Sequence, residues 1–382
     1  MGFAEMVRAG TAGCARPETL RARKRVCFVA PHAWPVLSRD PRIEVVGGAE
    51  VQQAILARLF AANGYRVSMI ALDYGQPCVA SVDGVTAYKA FAPSAGAPLL
   101  RFLHPRMTSM WRALRNADAD IYYCRSASIW LWLMTEFCRR RGRRSIYAGA
   151  SDKDFVPDIG GQVRYARDRW LYRRGLAAVD RIVAQNETQR ASCRSVHGRE
   201  AVVIPSCYQP PEDKDSSRTA DRVLWVGMLH ENKRPELFLE LAARLPHRRF
   251  VMIGGPREGS RAFFERIRAR AGALPNLELT GFLPLAQVEP WFDRARVLVN
   301  TSTYEGMPNT FLQAWARGVP TVATVDVDAP VNKVVANVEE LAGGVEKAFS
   351  DPSLGARCRE YFERQHSPAG VLEHYARLFD EL

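Results

Sequence analysis

The sequence has no run of apolar residues near the ~20 that a helix needs to cross a bilayer; its richest stretch, Ala127 to Met134, is closed off by Arg125 and Glu136. Residues 1–24 lack the apolar middle of a secretion signal and carry Arg8, Arg16, Arg21, Arg23 and Lys24, which predicts a loose basic extension rather than a leader. Cysteine is present but scattered: Cys14, Cys27, Cys78, Cys124, Cys138, Cys193, Cys207 and Cys358 form no C-x-x-C pair, and the histidines form no metal-like pair. This spacing argues against a zinc site or a disulfide framework and predicts a reducing, cytoplasmic compartment. The G-x-G-x-x-G fingerprint of dinucleotide binding is absent too.

What is present is enough for two or three domains: 382 residues, 47% of them apolar. The net charge of +12 is carried entirely by the first half, where Arg139-Arg140-Arg141-Gly142-Arg143-Arg144 and the stretch Arg164 to Arg174 are densest. A basic face serves nucleic acid, anionic lipid or phosphorylated substrates, or is simply solvated.

Strand and helix patterns alternate along the chain. Val26 to Ala30 reads as a strand, Pro31 to Val46 as a long loop, and Gly47-Gly48-Ala49-Glu50 as the start of a helix with Val51, Ile55 and Leu59 on one face. Further strands are predicted near 85–87, 121–124, 145–148, 181–184 and 201–204, and helices near 106–116, 127–141, 161–179 and 187–197. Pro205 to Ser217 is rich in proline and charge and reads as a linker. A second series begins at Asp221, with strands near 222–227, 249–254, 277–279 and 296–299. The predicted organisation is therefore α/β, with a first doubly wound domain over 25–205, a linker over 206–220, a second domain over 221–366 and a closing helix over 367–382.

The most informative stretch is Asn300 to Pro320. A buried strand leads into a polar loop with one acid, Glu305. Pro308 then opens a helix in which Phe311, Leu312 and Trp315 recur at helical spacing, and Gly318 closes it. Such a unit aims free backbone N–H groups at its loop. The run Glu-Gly-Met-Pro-Asn-Thr-Phe-Leu-Gln-Ala-Trp-Ala-Arg-Gly-Val-Pro resembles the E-x7-E segment of retaining glycosyltransferases of family 4, which have the GT-B fold of two Rossmann-like domains facing a cleft. The resemblance extends over about residues 25 to 382.

The resemblance implies transfer of a sugar from a nucleotide-diphosphate sugar, the co-substrate, to a glycan, lipid-linked or small-molecule acceptor, with no cofactor and no essential metal. It assigns Glu305 to the donor sugar hydroxyls and the loop Gly306, Met307, Pro308, Asn309 and Thr310 to sugar or phosphate oxygens. Lys233 takes the diphosphate and Gly254-Gly255 lines the donor side. Gln313 stands where the second acid belongs and would meet the ribose, or is a helix-surface glutamine. Met228 stands where the family commonly has an arginine. In the first half Arg125 replaces a histidine, and Asp152 and Asp154 either contact hydroxyls or cap a turn. Gly47-Gly48 and His32 form a candidate acceptor or phosphate loop. After Thr324 the chain is roughly a dozen residues shorter than in relatives. Helices carrying Arg106, Arg112, Arg115 and Arg139 to Arg144 alternate cations with Trp111, Trp130, Trp132 and Phe137, which predicts peripheral binding to anionic membrane at the inner face. Two rivals are a catalytically impaired sugar-nucleotide-binding scaffold, motivated by Met228, Gln313 and the short segment, and a nucleic-acid-binding protein. No nucleic-acid motif supports the latter.

Overall fold

The computed structural model of the chain describes residues 23–40, 47–96, 102–159, 163–211, 220–257 and 259–382. Nearly all of the basic extension and most of the expected linker lie outside the described residues. Two sheets carry the fold. The first contains β1 (Arg25–Val29), β2 (Arg66–Ala71), β3 (Val79–Val82), β4 (Val85–Lys89), β5 (Ile121–Arg125), β6 (Arg144–Ala148), β7 (Arg181–Ala184) and β8 (Val202–Val203), in the order β3-β4-β2-β1-β5-β6-β7-β8. The second contains β9 (Arg222–Val226), β10 (Arg249–Ile253), β11 (Leu277–Gly281), β12 (Ala295–Asn300), β13 (Thr321–Ala323) and β14 (Asn332–Val334), in the order β11-β10-β9-β12-β13-β14. All pairings are parallel except β3 with β4.

The central strands are apolar on both faces because helices cover both. Alternate side chains of β1 enter opposite cores, Val26 and Phe28 one and Cys27 and Val29 the other. In β9, Leu224 and its neighbours Val223 and Trp225 divide the same way. The last helix, Pro368–Asp380, returns to the first sheet, where Val371, Tyr375, Leu378 and Phe379 complete the core beneath Phe28 and Phe60. Each sheet reverses its strand order at the centre, at β1/β5 and at β9/β12. The crevice outside the carboxyl ends of those strands is where an open α/β sheet takes its ligand.

Several local expectations are corrected. The loop 31–46 contains a short helix, Trp34–Ser38. Asp83-Gly84, both at positive φ, makes a two-residue hairpin turn that pairs β3 with β4. The helix expected from residue 127 starts at Trp130, and the one expected from 161 starts at Ala166. An unforeseen helix, Ser353–His366, precedes the closing one. Among the described residues no helix is long and apolar enough to cross a membrane.

Candidate active site

Lys233 ends a short 3-10 turn, Glu231–Lys233, after β9, and Glu305 lies in the loop after β12. The strand reversal brings the two loops together, and the Lys233 ammonium pairs with Glu305 Oε1. Ser302 Oγ donates to the same oxygen at 2.6 Å. Beneath this pair the loops are stapled by Thr301, whose hydroxyl donates to the Lys233 carbonyl at 2.6 Å and accepts from the Trp225 indole at 2.9 Å. Arg234 donates to the Thr301 carbonyl at 2.8 Å. Both members of the pair keep an open edge, with side chains 22% and 15% exposed. Gly254 and Gly255 sit on the same carboxyl edge. A Cβ on Gly254 would strike the Gly227 carbonyl and one on Gly255 would meet Phe282 at 2.8 Å, so these glycines let neighbouring loops pack closely.

The loop after Glu305 reaches the first half. A Cβ on Gly306 would fall 2.4 Å from the Ala150 carbonyl oxygen and 2.7 Å from the end of the Gln185 side-chain amide. Lys153 Nζ stands 3.2 Å from the centre of the Tyr304 ring. Pro308 is the N-cap rather than the first residue of the helix Asn309–Trp315, and Met307 packs partly buried against the second half's core. Thr310 occupies the first turn. The Asn309 side chain spans the crevice: Nδ2 donates to the Gly48 carbonyl at 3.1 Å, and Oδ1 accepts from Gln52 Nε2 at 2.8 Å. Gln313, one turn further on, is buried; its Nε2 donates to Glu289 Oε1 at 2.8 Å.

In the first half Arg125 ends β5 at the matching edge. It is buried, donates to Ser206 Oγ at 3.1 Å and to Tyr123 OH at 3.4 Å, and among the described residues has no carboxylate at ion-pair distance. Asp152 and Asp154 take different roles. Asp154 is fully buried, accepts from the Ala150 and Ser151 amides at 2.6 and 3.2 Å, and closes a capping box with Ser151. It is the turn cap, and burial pushes its carboxyl up to about 6. Asp152 is only partly covered and accepts from Gln189 Nε2 at 2.9 Å; burial raises its pKa first, and the fields of Asp326 and Asp328 across the crevice add to this. Gly47 caps the helix Gly48–Ala62, with the Glu50 carboxylate lying over it. His32 is exposed and shares a hydrogen bond with Tyr74 OH at 3.1 Å.

The arginine run is mostly exposed, and several of its cations carry carboxylate partners. Arg139 and Arg140 pair with Glu136, Arg143 with Asp118 and Asp120, and Arg144 with Asp180. Trp111, Trp130 and Trp132 pack against the first core, and Phe137 is within it. Sequence reasoning did not find Gln52, Gln185, Ser206, Tyr208, Glu289 or Arg317. Each acts through a partner distant in the chain, and no local spacing marks it.

Comparison with known proteins agrees with this architecture. The family profile described as Glycosyltransferase Family 4 matches residues 46–209, and that described as Glycosyl transferases group 1 matches residues 220–351. A D-inositol 3-phosphate glycosyltransferase of Mycobacterium sp. (strain KMS) is 28% identical over 170 residues, covering 40% of this chain and 38% of that relative. The match thus spans less than half the length of the curated relative. Among solved structures, sucrose-phosphate synthase from Thermosynechococcus elongatus superposes with a TM-score of 0.72 at 19% identity, covering 94% of this chain and 99% of that one. HepE of Anabaena, solved in complex with UDP and glucose, gives 0.68 at 12% identity, covering 94% and 100%. These likenesses show the fold, and the two profiles leave between them only residues 210–219, within the expected linker. The chain belongs to the group 1, family 4 glycosyltransferases of the GT-B fold.

Proposed function

We propose that the chain transfers a sugar from a nucleotide-diphosphate sugar to a hydroxyl of a sugar-containing acceptor, with retention at the anomeric carbon. The observation that carries this reading is the Lys233–Glu305 pair at the strand reversal of the second sheet, in a loop that reaches Ala150 of the first half through Gly306. A donor would divide the pair: its diphosphate takes the Lys233 ammonium, and its sugar hydroxyls donate to Glu305. Ser302 and Lys233 both act on Oε1, and we assign Oε2 to a hydroxyl. Charge-assisted hydrogen bonds of this kind are stronger than neutral ones. Arg125 contributes positive potential on the opposite wall, where negative charge grows on the leaving phosphate. Asp152 accepts from an acceptor hydroxyl. In same-face displacement a leaving-phosphate oxygen takes the acceptor proton as the new C–O bond forms, so no separate base is required. The inward reach of Gly306 excludes water from the bond being broken. A lipid-linked acceptor fits the aromatic and cationic surface of the helix Ala166–Ala178, where Trp170 is exposed beneath Arg174.

The test is a panel of nucleotide sugars, first by thermal shift and then by turnover with a mixed set of sugar acceptors. A bound donor at 100 times its Kd should add about 2.7 kcal/mol to stability. Glu305→Gln should lower turnover by ~10² or more with the fold intact, and Lys233→Ala should weaken diphosphate binding by roughly 1.5–3 kcal/mol. NMR of the product reads the anomeric outcome. A folded Glu305→Gln variant with near-normal turnover, or wild-type protein that binds nucleoside and nucleoside diphosphate equally, would sink the assignment.

A further inference from the structure

Gln313 stands in an environment built around a carboxylate that is not its own. Its Nε2 donates to Glu289 Oε1 at 2.8 Å, from the helix Leu285–Asp293. Glu289 Oε2 accepts from Tyr208 OH at 2.6 Å and from Arg317 at 2.8 Å. Arg317 also donates to Asp293 at 2.9 Å, to Tyr208 OH at 3.0 Å and to the Gln313 carbonyl at 3.1 Å. An ionised carboxylate only accepts, so the atom that Gln313 turns to Glu289 has to be its NH2. The amide then has one orientation, with its oxygen on the other side. Gln313 follows Asn309 by four residues on one helix, so the two share a stripe one turn apart. Asn309 already touches Gln52 and Gly48 of the first half, which places the stripe at the crevice.

We propose that Glu289 is a positioning residue: it fixes the Gln313 amide so that its oxygen, not its nitrogen, is offered to a ribose hydroxyl of the donor nucleotide. This rests on the proposed nucleotide-sugar function. An acid one helix away thus makes an amide behave as an acceptor where an acid would otherwise stand. A second acid at 313 could not share the site, because Glu289 and Asp293 already exceed the single charge of Arg317.

The experiment compares affinity for UDP and GDP with their 2′-deoxy and 3′-deoxy counterparts by titration calorimetry. Wild-type protein should prefer the ribo form of the nucleotide it binds by about 10-fold, or about 1.4 kcal/mol, over at least one deoxy form. Glu289→Gln should bring that ratio within about 2-fold and raise KM with little change in kcat, since either amide face can then turn outward. Gln313→Glu alone should also lose the preference. The exchange Gln313→Glu with Glu289→Gln keeps the net charge of the network, lets the amide at 289 donate to the carboxylate at 313, and should restore the ratio even if a single variant folds poorly. A merely structural Glu289 would lower Tm and leave the ratio unmoved. An unchanged ratio in Glu289→Gln, or no restoration in a folded double variant, overturns the positioning role. A wild-type protein that binds UDP or GDP but ignores both ribose hydroxyls overturns the ribose reading beneath it, and one that binds neither overturns the nucleotide-sugar function.

Discussion

Replacing Gly306 with alanine should keep the two halves from meeting while leaving each of them folded. The added Cβ would lie 2.4 Å from the Ala150 carbonyl oxygen and 3.1 Å from Ser151 Cα, where ordinary contact begins at 3.4 Å. Neither side yields easily. The Ala150 amide is held by Asp154 at 2.6 Å, and the loop before Gly306 is held by Ser302 and Lys233 on Glu305. Gly306 is not among the positive-φ glycines, so its backbone accepts alanine without strain and the whole effect falls on the contact across the crevice. Relief requires about 1 Å of separation, and a misplacement of that size costs on the order of 10² in rate.

The matching stability change should stay near about 1 kcal/mol, the cost of loosening the Asn309–Gln52 hydrogen bond and the Ile55 contact with the second core. Nucleotide binding, which the proposed function assigns mainly to Lys233 and Glu305, should be nearly unchanged. The assay is nucleotide release with donor and acceptor, alongside urea unfolding and the solution radius of gyration. A well-folded Gly306→Ala protein with turnover within about 3-fold of wild type would refute the claim that this contact forms during the reaction.

Two adjacent glycines in the helix Val338–Ser350 should respond with opposite signs in urea unfolding. At Gly343 a Cβ meets nothing within 4 Å, so alanine should stabilise by about 0.5–1 kcal/mol; at Gly344 it would lie 2.7 Å from Val322 Cγ1, so alanine should destabilise by about 1–3 kcal/mol. His366 is buried, with Nδ1 2.7 Å from the Ser206 carbonyl, and burial lowers its pKa to about 4. The unfolded chain takes up this proton below about 6.5 and the folded one does not, so stability should fall from pH 6.5 to 4 by on the order of 3 kcal/mol. Asp154, raised to about 6, acts in the opposite direction, losing stability as pH rises from about 4 to 6. The informative quantity is therefore wild type minus His366→Asn across this range, and a flat difference would refute the assignment. On the helix Ala166–Ala178, Arg174 stacks on exposed Trp170, and Arg164 on exposed Tyr165 just before it. We expect reversible co-sedimentation with anionic vesicles, lost by ~0.5 M salt and reduced by Trp170→Ser with Arg174→Glu; equal binding to neutral vesicles would count against it.

The fold was legible because it rests on period and punctuation. Apolar strands such as Val26 to Ala30 and Arg222 to Val226 alternate with amphipathic helices, and burial on both strand faces follows from that pattern. The Asp83-Gly84 hairpin carried a readable signal, a two-residue turn of the type that favours positive φ, yet it was overlooked beside the parallel pattern. The helix Ser353–His366 was harder to see, since half of its face is charged and its apolar contacts, Cys358 and Phe362, are few. At the candidate site, Lys233 and Glu305 stand out through the family resemblance and their place at strands' carboxyl ends, and the structure brings their side chains together. The ion pairs within the arginine run were not legible because the partners Asp118, Asp120 and Asp180 lie at other strands' edges.

Position 313 shows where a single-chain reading ends. Gln313 was equally consistent with a solvent-facing side chain and a weakened ribose contact, because an amide's meaning depends on which of its two ends is occupied. That choice is made by Glu289, which is 24 residues earlier and on another helix. Glu289 is in turn held by Tyr208 and Arg317. Tyr208 belongs to the segment that leaves the first half, so the group orienting Gln313 is tied to the connection between the halves. A substitution judged at 313 alone looks like the loss of a carboxylate. Judged with its neighbours it is one half of a donor–acceptor pair whose charge has moved across a helix interface, and only exchange of both residues can tell the two descriptions apart.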